Sequence, residues 1–341
     1  MKTRTKVWLM IAAFFVLIGC ILFGGVMTML NWDFTKLSTG KYEKNDYKIQ
    51  DDYQHISIIT DTADIMFVSC ESQTPSVSCY EQKNNRHSVS VKDGTLEIRI
   101  VDTRKWYEHI GINFGAPKIT VYIPAGEYGK LSVKASTGNV EIPEAFKFRS
   151  MDISVSTGDV KTCASVWEGV KIKTTTGSIC MEDASAGSLD LSVSTGKVTV
   201  SGVTCEGDAA IGVSTGKAYL TDTRCKNLIS SGNTGDISLN NVIAAEKLSI
   251  QRSTGDVKFE SCDAGEIYVK TDTGDVTGSL LSDKVFITQT DTGSISVPDS
   301  VAGGRCEITT DTGDIDMTVV SPDAVQFLFT NKLCTKAENM V

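Results

Sequence analysis

The stretch KTDTGDVTG, Lys270–Gly278, contains the element that decides the fold, a threonine–glycine pair between short polar and apolar residues. Nearly the same string recurs as QTDTGSI at 289–295 and as TTDTGDI at 309–315. From residue 131 onward, the glycine of this pair returns every 19 or 20 residues. A period of this length is typical of a solenoid, in which each repeat forms one coil. The ten glycines that follow the period are Gly138, Gly158, Gly177, Gly196, Gly216, Gly235, Gly255, Gly274, Gly293 and Gly313.

Apolar residues keep fixed positions relative to this glycine. The positions seven before it and two after it are apolar in all ten repeats. Within each arm the apolar positions alternate with a period of two, which predicts β-strands with one buried face. The alternation breaks across the glycine, so the chain turns a corner there, where glycine adopts a positive φ at little cost.

These patterns predict an all-β fold, a β-solenoid (β-helix-like) of about ten to eleven coils of 19–20 residues. We expect a right-handed coil, with the ten glycines as structural turns. Stacked coils would bury a shared apolar core, which a single coil cannot do alone.

The first thirty residues differ from the rest of the chain. Lys2, Arg4 and Lys6 precede an uncharged segment, residues 7–30. A helix of this length spans about 36 Å, enough to cross a bilayer. Since basic residues stay on the cytoplasmic side, we predict an uncleaved, single-pass membrane anchor with an extracytoplasmic C-terminal region. Two alternatives are a lipoprotein modified at Cys20 within LIGC and a cleaved signal peptide.

We divide the chain into five parts. The basic start and transmembrane helix occupy 1–30, a polar tether 31–55, and a first coil with a strand-rich cap 56–130. The repeats fill 131–320, and a C-terminal cap occupies 321–341. Solenoid ends expose unpaired edges, which is why both ends need caps.

The part at 56–130 contains two recognisable motifs. The string ISIITDTADIMF, Ile56–Phe67, matches the repeat with Ala63 in place of the glycine. The string SVSVKDGTLEIRI at 88–100 predicts a hairpin that turns at Asp93 and Gly94. In the same part, we expect three aromatic residues to help close the rod: Trp106, Tyr107 and Phe114.

Charge and cysteine content limit the possible functions. The chain has 33 Lys and Arg against 42 Asp and Glu, a net charge of −9, which argues against nucleic-acid binding. Of its ten cysteines, Cys70 and Cys79 are spaced to staple a hairpin. The alternative is that most cysteines are small buried apolar residues, because export permits disulfides without requiring them.

Several strings resemble a known family. They are WDFTKLSTG at 32–40, TDTADI at 60–65, DTRKWY at 102–107, IGINFG at 110–115 and the repeated STGDV and TDTGDI coils. Together they resemble the bacterial putative-adhesin family with β-strand repeats, of the DUF4097 type. The resemblance implies an exported β-solenoid with an adhesive or envelope role and no catalytic residues.

Acidic residues follow the glycine in several repeats and suggest a calcium alternative. Stacking would bring together the carboxylates of Asp236, Asp256, Asp275 and Asp314, as in calcium-binding β-rolls. Aspartate also caps turns with its own side chain. Because Lys197 and Lys217 occupy the same position in two other coils, we predict no metal site.

Two strings mimic catalytic motifs. GVSTG at 212–216 has the Gly-x-Ser-x-Gly spacing of a nucleophile elbow, and STGK at 194–197 has the Ser-x-x-Lys spacing. Both are local copies of the repeated corner. The three histidines, His55, His87 and His109, are isolated and lack metal-ligand spacing. We therefore predict no catalytic residue and no cofactor.

The sequence favours a non-enzymatic, membrane-anchored protein that displays an adhesin-like binding surface. The expected partners are the membrane, through the N-terminal helix, and a cell-wall glycan or an envelope protein. One alternative is an accessory or sensor protein of an envelope-stress system. Another is a carbohydrate-active enzyme built on a β-helix.

Overall fold

The computed structural model describes residues 3–33, 42–70, 74–104, 116–283, 285–297, 304–317 and 325–331. It begins with α1, Thr3–Met29, in which the stretch Lys6–Met29 contains an 18-residue window with a mean hydropathy of 2.7. This helix is long and apolar enough to cross a membrane, and no residue of that window is buried, although Met27 near the end of the helix is. The apolar N-terminal helix is thus confirmed, while its orientation stays a prediction.

All other regular elements of the described residues are strands. The strands that precede the repeats are β1 (Tyr42–Lys48), β2 (His55–Thr62), β3 (Asp64–Ser69), β4 (Ser76–Gln82), β5 (Asn85–Lys92), β6 (Thr95–Asp102) and β7 (Lys118–Ile123). Those of the first repeats are β8 (Gly126–Thr137), β9 (Val140–Ile142), β10 (Phe146–Thr157), β11 (Val160–Thr162), β12 (Ser165–Glu182), β13 (Ser185–Ala186), β14 (Leu189–Ser201) and β15 (Thr204–Cys205). The remaining strands are β16 (Asp208–Thr234), β17 (Ile237–Thr254), β18 (Val257–Thr273), β19 (Val276–Asp283), β20 (Val285–Thr292), β21 (Ile295–Val297), β22 (Gly304–Thr312), β23 (Ile315–Met317) and β24 (Val325–Asn331).

The repeat strands stack in parallel, one coil on the next. In β12 and β14, for example, Val170 lies opposite Leu189 and Gly177 opposite Gly196. The same register continues from β14 into β16. Equivalent repeat positions therefore stack directly, and the predicted β-solenoid is confirmed. The ten corner glycines bound nine complete turns.

The apolar positions predicted from the repeat line one continuous core. It runs from Ile49 to Ile308 without a break. Ile172, Leu191 and Ile250 are each 0% exposed, as their alternation with polar residues predicts. Each fully buried aliphatic side chain stabilises the fold by roughly 1.5–3 kcal/mol, so the stacked columns hold the rod together.

A second corner follows six residues after the glycine in five successive coils. Its residues have φ between 48° and 64°: Asp183, Gly202, Asp222, Asn241 and Ser261. Asp, Asn and Gly tolerate this left-handed conformation best. The repeat pattern described above, which is centred on the threonine–glycine pair, does not predict this second corner.

The start of the rod is wound out of sequence order. In β2 and β3, Ile56, Ile58, Ile65 and Phe67 are buried, and Ala63 lies opposite the first repeat corner, as the first-coil interpretation predicts. On one side this coil pairs in parallel with β8 and β9. On its other side it pairs in parallel with β6 and β7, which come later than β2 and β3 in the chain.

Antiparallel strands close this end of the rod. We call β1, β4 and β5 the cap. β5 pairs with β6 through the predicted hairpin, in which Asp93 and Gly94 have φ of 48° and 70°. β4 pairs antiparallel with β7 and with β1, so part of the segment expected as a tether is a strand of the cap. Trp106, Tyr107, Phe114 and His109 lie outside the described residues.

At the far end, β24 adds one more parallel strand to β22. It falls within the segment predicted as the C-terminal cap, 321–341. The predicted domain boundaries themselves stay predictions.

Candidate binding surface and cap cluster

Glycine is required at the repeat corners for two reasons, its backbone conformation and the close approach of the preceding coil. All ten have φ between 122° and 151°, a region that side chains disfavour. A Cβ at Gly177 would overlap the carbonyl oxygen of Gly158 in the coil before it, and the same overlap recurs along the stack. The glycines therefore allow adjacent coils to approach, and they leave no side chain at this edge of the rod.

The acidic residues after the glycine form a hydrogen-bonded ladder. The backbone N–H of Asp275 donates to Oδ1 of Asp256 over 2.9 Å, and that of Ser294 donates to Oδ1 of Asp275 over 2.7 Å. Asp256 donates in the same way to Asp236 over 3.2 Å. Each carboxylate therefore satisfies a backbone N–H of the next coil that the corner leaves unpaired.

Two further contacts bear on the calcium alternative. Nζ of Lys217 lies 2.9 Å from Oδ2 of Asp236, and this hydrogen bond, with the Asp256 N–H, holds the pKa of Asp236 below its usual value. Asp314 donates its N–H to Oγ of Ser294 over 3.4 Å. In the described part of the chain, no ladder carboxylates gather in a group of three with ligand atoms within 4.8 Å. Calcium binding stays untested, and the ladder has a structural role without it.

A polar groove crosses four successive coils on the outer face of the rod. Its volume is about 370 Å³. It is lined by Ser192, Gly212, Val213, Ser214, Ser231, Gly232, Asn233, Gln251 and Ser253. We call these nine residues the polar groove. They carry hydroxyl and amide groups but no charge, so the groove offers both donors and acceptors of hydrogen bonds.

The groove forms because a side chain is missing where other coils carry one. Gly212 occupies the position four before the corner glycine, where neighbouring coils have Lys173, Ser192, Ser231 and Gln251. A Cβ at Gly212 would meet Ser192 only at ordinary contact distance, 3.6 Å. The absence of a side chain is thus not required by the fold.

A buried arginine lies behind the floor of the groove. Arg252 is 2% exposed, and its guanidinium fills the space that Gly232 leaves. Nη2 donates to Oγ of Ser230 over 3.0 Å and Nη1 to the carbonyl of Val213 over 3.4 Å. Burial lowers the pKa of Arg252, although the charge of Asp236 partly offsets this. The guanidinium therefore braces the backbone of the coils that form the groove.

The motifs that mimic catalytic sites are dispersed. Ser214 of GVSTG lines the polar groove, and Gly216 forms a corner within β16, so no helix follows the serine. Nδ1 of His55 accepts the N–H of Lys130 over 2.9 Å. These residues show no hydrogen-bonded pairing of a nucleophile with a base.

A buried polar cluster in the cap was missed by the sequence reading, which treated His87 as isolated. Cys79, Glu81 and His87 are 0%, 1% and 4% exposed, and one ligand atom from each lies within 4.8 Å of the others. We call these three residues the cap cluster. Alternation places Cys79 and Glu81 on the same face of β4, and the short turn between β4 and β5 brings His87 back beside them.

The carboxylate of Glu81 organises the cap cluster. Oε2 accepts the backbone N–H of His87 over 2.7 Å and lies 2.8 Å from its Nδ1, while Oε1 accepts from Nδ2 of Asn45 over 2.8 Å. Nε2 of His87 lies 2.9 Å from Oγ1 of Thr60. Burial favours the neutral acid, but the hydrogen bonds from His87 and Asn45 outweigh it and lower the pKa of Glu81.

The thiol of Cys79 is protonated in this environment. Burial, together with the negative charges of Glu81 and Asp46, raises the pKa of Cys79 to about 12. The disulfide suggested between Cys70 and Cys79 is not formed, and neither cysteine is bonded to another cysteine. The backbone N–H of Cys70 donates to the carbonyl of Ile123, whereas Cys79 lies opposite Ile119. Ile119 and Ile123 are about 13 Å apart along β7, so the two cysteines are too far from each other for a disulfide.

Comparison with known proteins identifies the family. Residues 53–216 and 210–330 match the Toastrack family, DUF4097. The chain belongs to the Toastrack family. No curated protein matches it significantly. The sequence match agrees with the stacked coils and with the predicted resemblance, which is confirmed.

Solved structures similar to this Toastrack chain include several described as adhesins. One from Bacteroides fragilis, a putative adhesin, has a TM-score of 0.37 and 19% identity, covering 72% of this chain and 97% of its own. A putative lipid binding protein from Parabacteroides distasonis has a TM-score of 0.46 and 19% identity, covering 73% and 98%. A putative cell adhesion protein from Clostridium sporogenes has a TM-score of 0.23 and 10% identity, covering 76% and 100%.

Proposed function

We propose that this protein is a non-enzymatic, membrane-anchored rod on the outer side of the cytoplasmic membrane, and that it binds an envelope polysaccharide in the polar groove. The observation that carries the proposal is the groove itself, a concave, uncharged surface of hydroxyl and amide groups on an otherwise regular rod. Sugars present many hydroxyl groups, which donate and accept hydrogen bonds and so match this lining.

The rod favours binding because its groove needs little ordering. The lining residues lie on parallel strands of four consecutive coils, so their spacing is fixed by the stack. A preformed site loses less conformational entropy when a ligand binds. The proposed orientation of the protein in the membrane rests on Lys2, Arg4 and Lys6. These basic residues favour a cytoplasmic N-terminus and therefore a rod on the outer side.

The substitution Gly212→Gln tests the proposed binding site. The glutamine side chain would extend into the polar groove, as Gln251 does two coils later, without a backbone clash. We expect binding of the purified full chain to isolated wall polysaccharide to weaken at least tenfold, measured by co-sedimentation or biolayer interferometry.

A matched control is Ser154→Gln, which introduces the same side chain at the equivalent position of a coil outside the groove. We expect this variant to bind like the wild type. If both variants bind alike, or if the wild type binds no envelope polysaccharide, the proposed function is wrong.

A further inference from the structure

The cap cluster combines three side chains that serve as metal ligands in proteins. A thiolate sulfur, an imidazole nitrogen and a carboxylate oxygen are the ligand types that zinc prefers, and tetrahedral bonds of 2.0–2.3 Å hold such atoms about 3.3–3.6 Å apart. Oε2 of Glu81 and Nδ1 of His87 are 2.8 Å apart, and the Cys79 sulfur lies within 4.8 Å of both. To admit the ion, the oxygen and nitrogen would move apart by about half an ångström, and the sulfur would close any excess over about 3.6 Å.

The histidine is already oriented as a ligand. Nε2 of His87 faces Oγ1 of Thr60, so this nitrogen can carry the proton and donate it to the hydroxyl. In the metal-free cluster Nδ1 instead donates to Oε2 of Glu81. Once the proton sits on Nε2, the lone pair of Nδ1 faces the ligand atoms of Glu81 and Cys79. Hydrogen bonding of the second ring nitrogen to a fixed acceptor is the usual support for a histidine ligand.

Charge balance also favours a divalent cation. The ionised forms of Cys79 and Glu81 carry two negative charges in a fully buried space, and a Zn²⁺ ion would neutralise both. Buried charges are tolerated when they are paired or bound to a metal.

We propose that Cys79, Glu81 and His87 bind one zinc ion, which fastens β4 to β5 at the capped end of the rod. On binding, the ion replaces the proton of the Cys79 thiol, which leaves to solvent. The neutral His87 ring gives up its Nδ1 proton and takes one up on Nε2, through solvent, so that the Nδ1 lone pair binds the ion and Nε2–H donates to Oγ1 of Thr60. Asn45 lies opposite Cys79 in the β1–β4 pairing, and its Nδ2 donates to Glu81. If the side-chain amide of Asn45 rotates by about 180°, its Oδ1 takes the place of Nδ2 and offers a fourth ligand.

Such an ion would strengthen a weakly connected part of the sheet. Within the described residues, β4 and β5 share a single paired position, Gln82 with Asn85. A metal held by both strands would stabilise the folded cap by mass action, because the unfolded chain offers no preformed site.

The test uses the full chain in detergent, reduced and stripped with a chelator. It is titrated with Co²⁺, which takes zinc sites and reports thiolate bonding through its absorption spectrum, and the Co²⁺ is then displaced with Zn²⁺. We expect one equivalent of metal, with a sulfur-to-cobalt band that Zn²⁺ abolishes. We expect Cys79→Ser to lose this band and His87→Gln to bind at least tenfold more weakly.

The matched control is Cys262→Ser, since Cys262 is equally buried but its thiol donates to a backbone carbonyl, that of Glu260. It should bind metal as the wild type does. A second measurement needs no substitution: Zn²⁺ should slow alkylation of Cys79 at least tenfold and leave Cys262 unchanged. Absence of a cobalt–thiolate band in the wild type, retention of the band in Cys79→Ser, or equal protection of both cysteines would overturn the proposal.

Discussion

At the residue scale, the repeated glycine has one dominant function, which is to let coils stack at a sharp corner. Its positive φ and the neighbouring carbonyl each exclude a side chain. Other glycines of the same chain are free of this constraint. A Cβ at Gly212 would meet Ser192 only at ordinary contact distance, so the fold does not require glycine there.

This difference predicts opposite outcomes for two glycine-to-alanine substitutions. Gly177→Ala places a Cβ against the carbonyl of Gly158 at a φ of 139°, and we expect a loss of about 2–4 kcal/mol in the free energy of unfolding. Gly212→Ala should change it by less than about 0.5 kcal/mol. Denaturant titrations followed by circular dichroism measure both. Equal losses of stability in the two variants would mean that the corner position does not require glycine.

At the element scale, the repeat coils follow from the sequence, whereas at the capped end only the β5–β6 hairpin does. A strict period and a two-residue alternation predict the position of each repeat strand, because stacking forces equivalent residues into one column. The cap has no repeat. The parallel pairing of β6 with β2 depends on contacts between segments about 40 residues apart, such as Ile56 with Leu96. No local pattern encodes such a pairing.

The candidate sites show the same division. The Asp ladder was visible as a column, although its bonding to the backbone of the next coil required coordinates. The polar groove depends on a glycine that interrupts a column of longer side chains, and that interruption was readable at Gly212. The cap cluster joins Glu81 to a histidine that the sequence alone left without neighbours.

Glu81 predicts how the cap responds to acid. Its pKa is lowered in the folded state, so its stabilising contribution is present above its unfolded pKa of about 4.5 and is lost as the pH falls through the folded value. With a chelator present, we expect Glu81→Gln to be less stable than the wild type at pH 6. We also expect the difference to shrink as the pH falls from 4.5 to 3, in denaturant titrations at each pH.

The control for this prediction is Glu266→Gln, which breaks an exposed ion pair with Lys247. Exposed pairs contribute little, so its stability should follow the wild type across the same range. A constant difference between Glu81→Gln and the wild type from pH 6 to pH 3 would show that the carboxylate charge of Glu81 does not stabilise the cap.

At the scale of the whole molecule, the rod has one blunted end and a modular length. At the N-terminal end of the rod, the strands of the cap pair antiparallel, whereas the coils pair in parallel. The first strand of the cap, β1, begins 13 residues after the last residue of α1. The cap therefore covers edges that would otherwise pair with another chain. Beyond the cap, each coil contacts chiefly its two neighbours, so stability and binding are local properties of particular coils.

Removal of single coils tests this modularity. Deleting 159–177 joins one corner to the next in phase, and deleting 197–216 does the same but removes Gly212, Val213 and Ser214 from the polar groove. Both variants should fold into rods shorter by about 4.8 Å, measured by small-angle X-ray scattering. If binding is local to the groove, the first deletion keeps the wild-type affinity for polysaccharide and the second loses it. Because the two rods match in length and repeat content, equal affinities would place the binding surface elsewhere on the rod or in the cap.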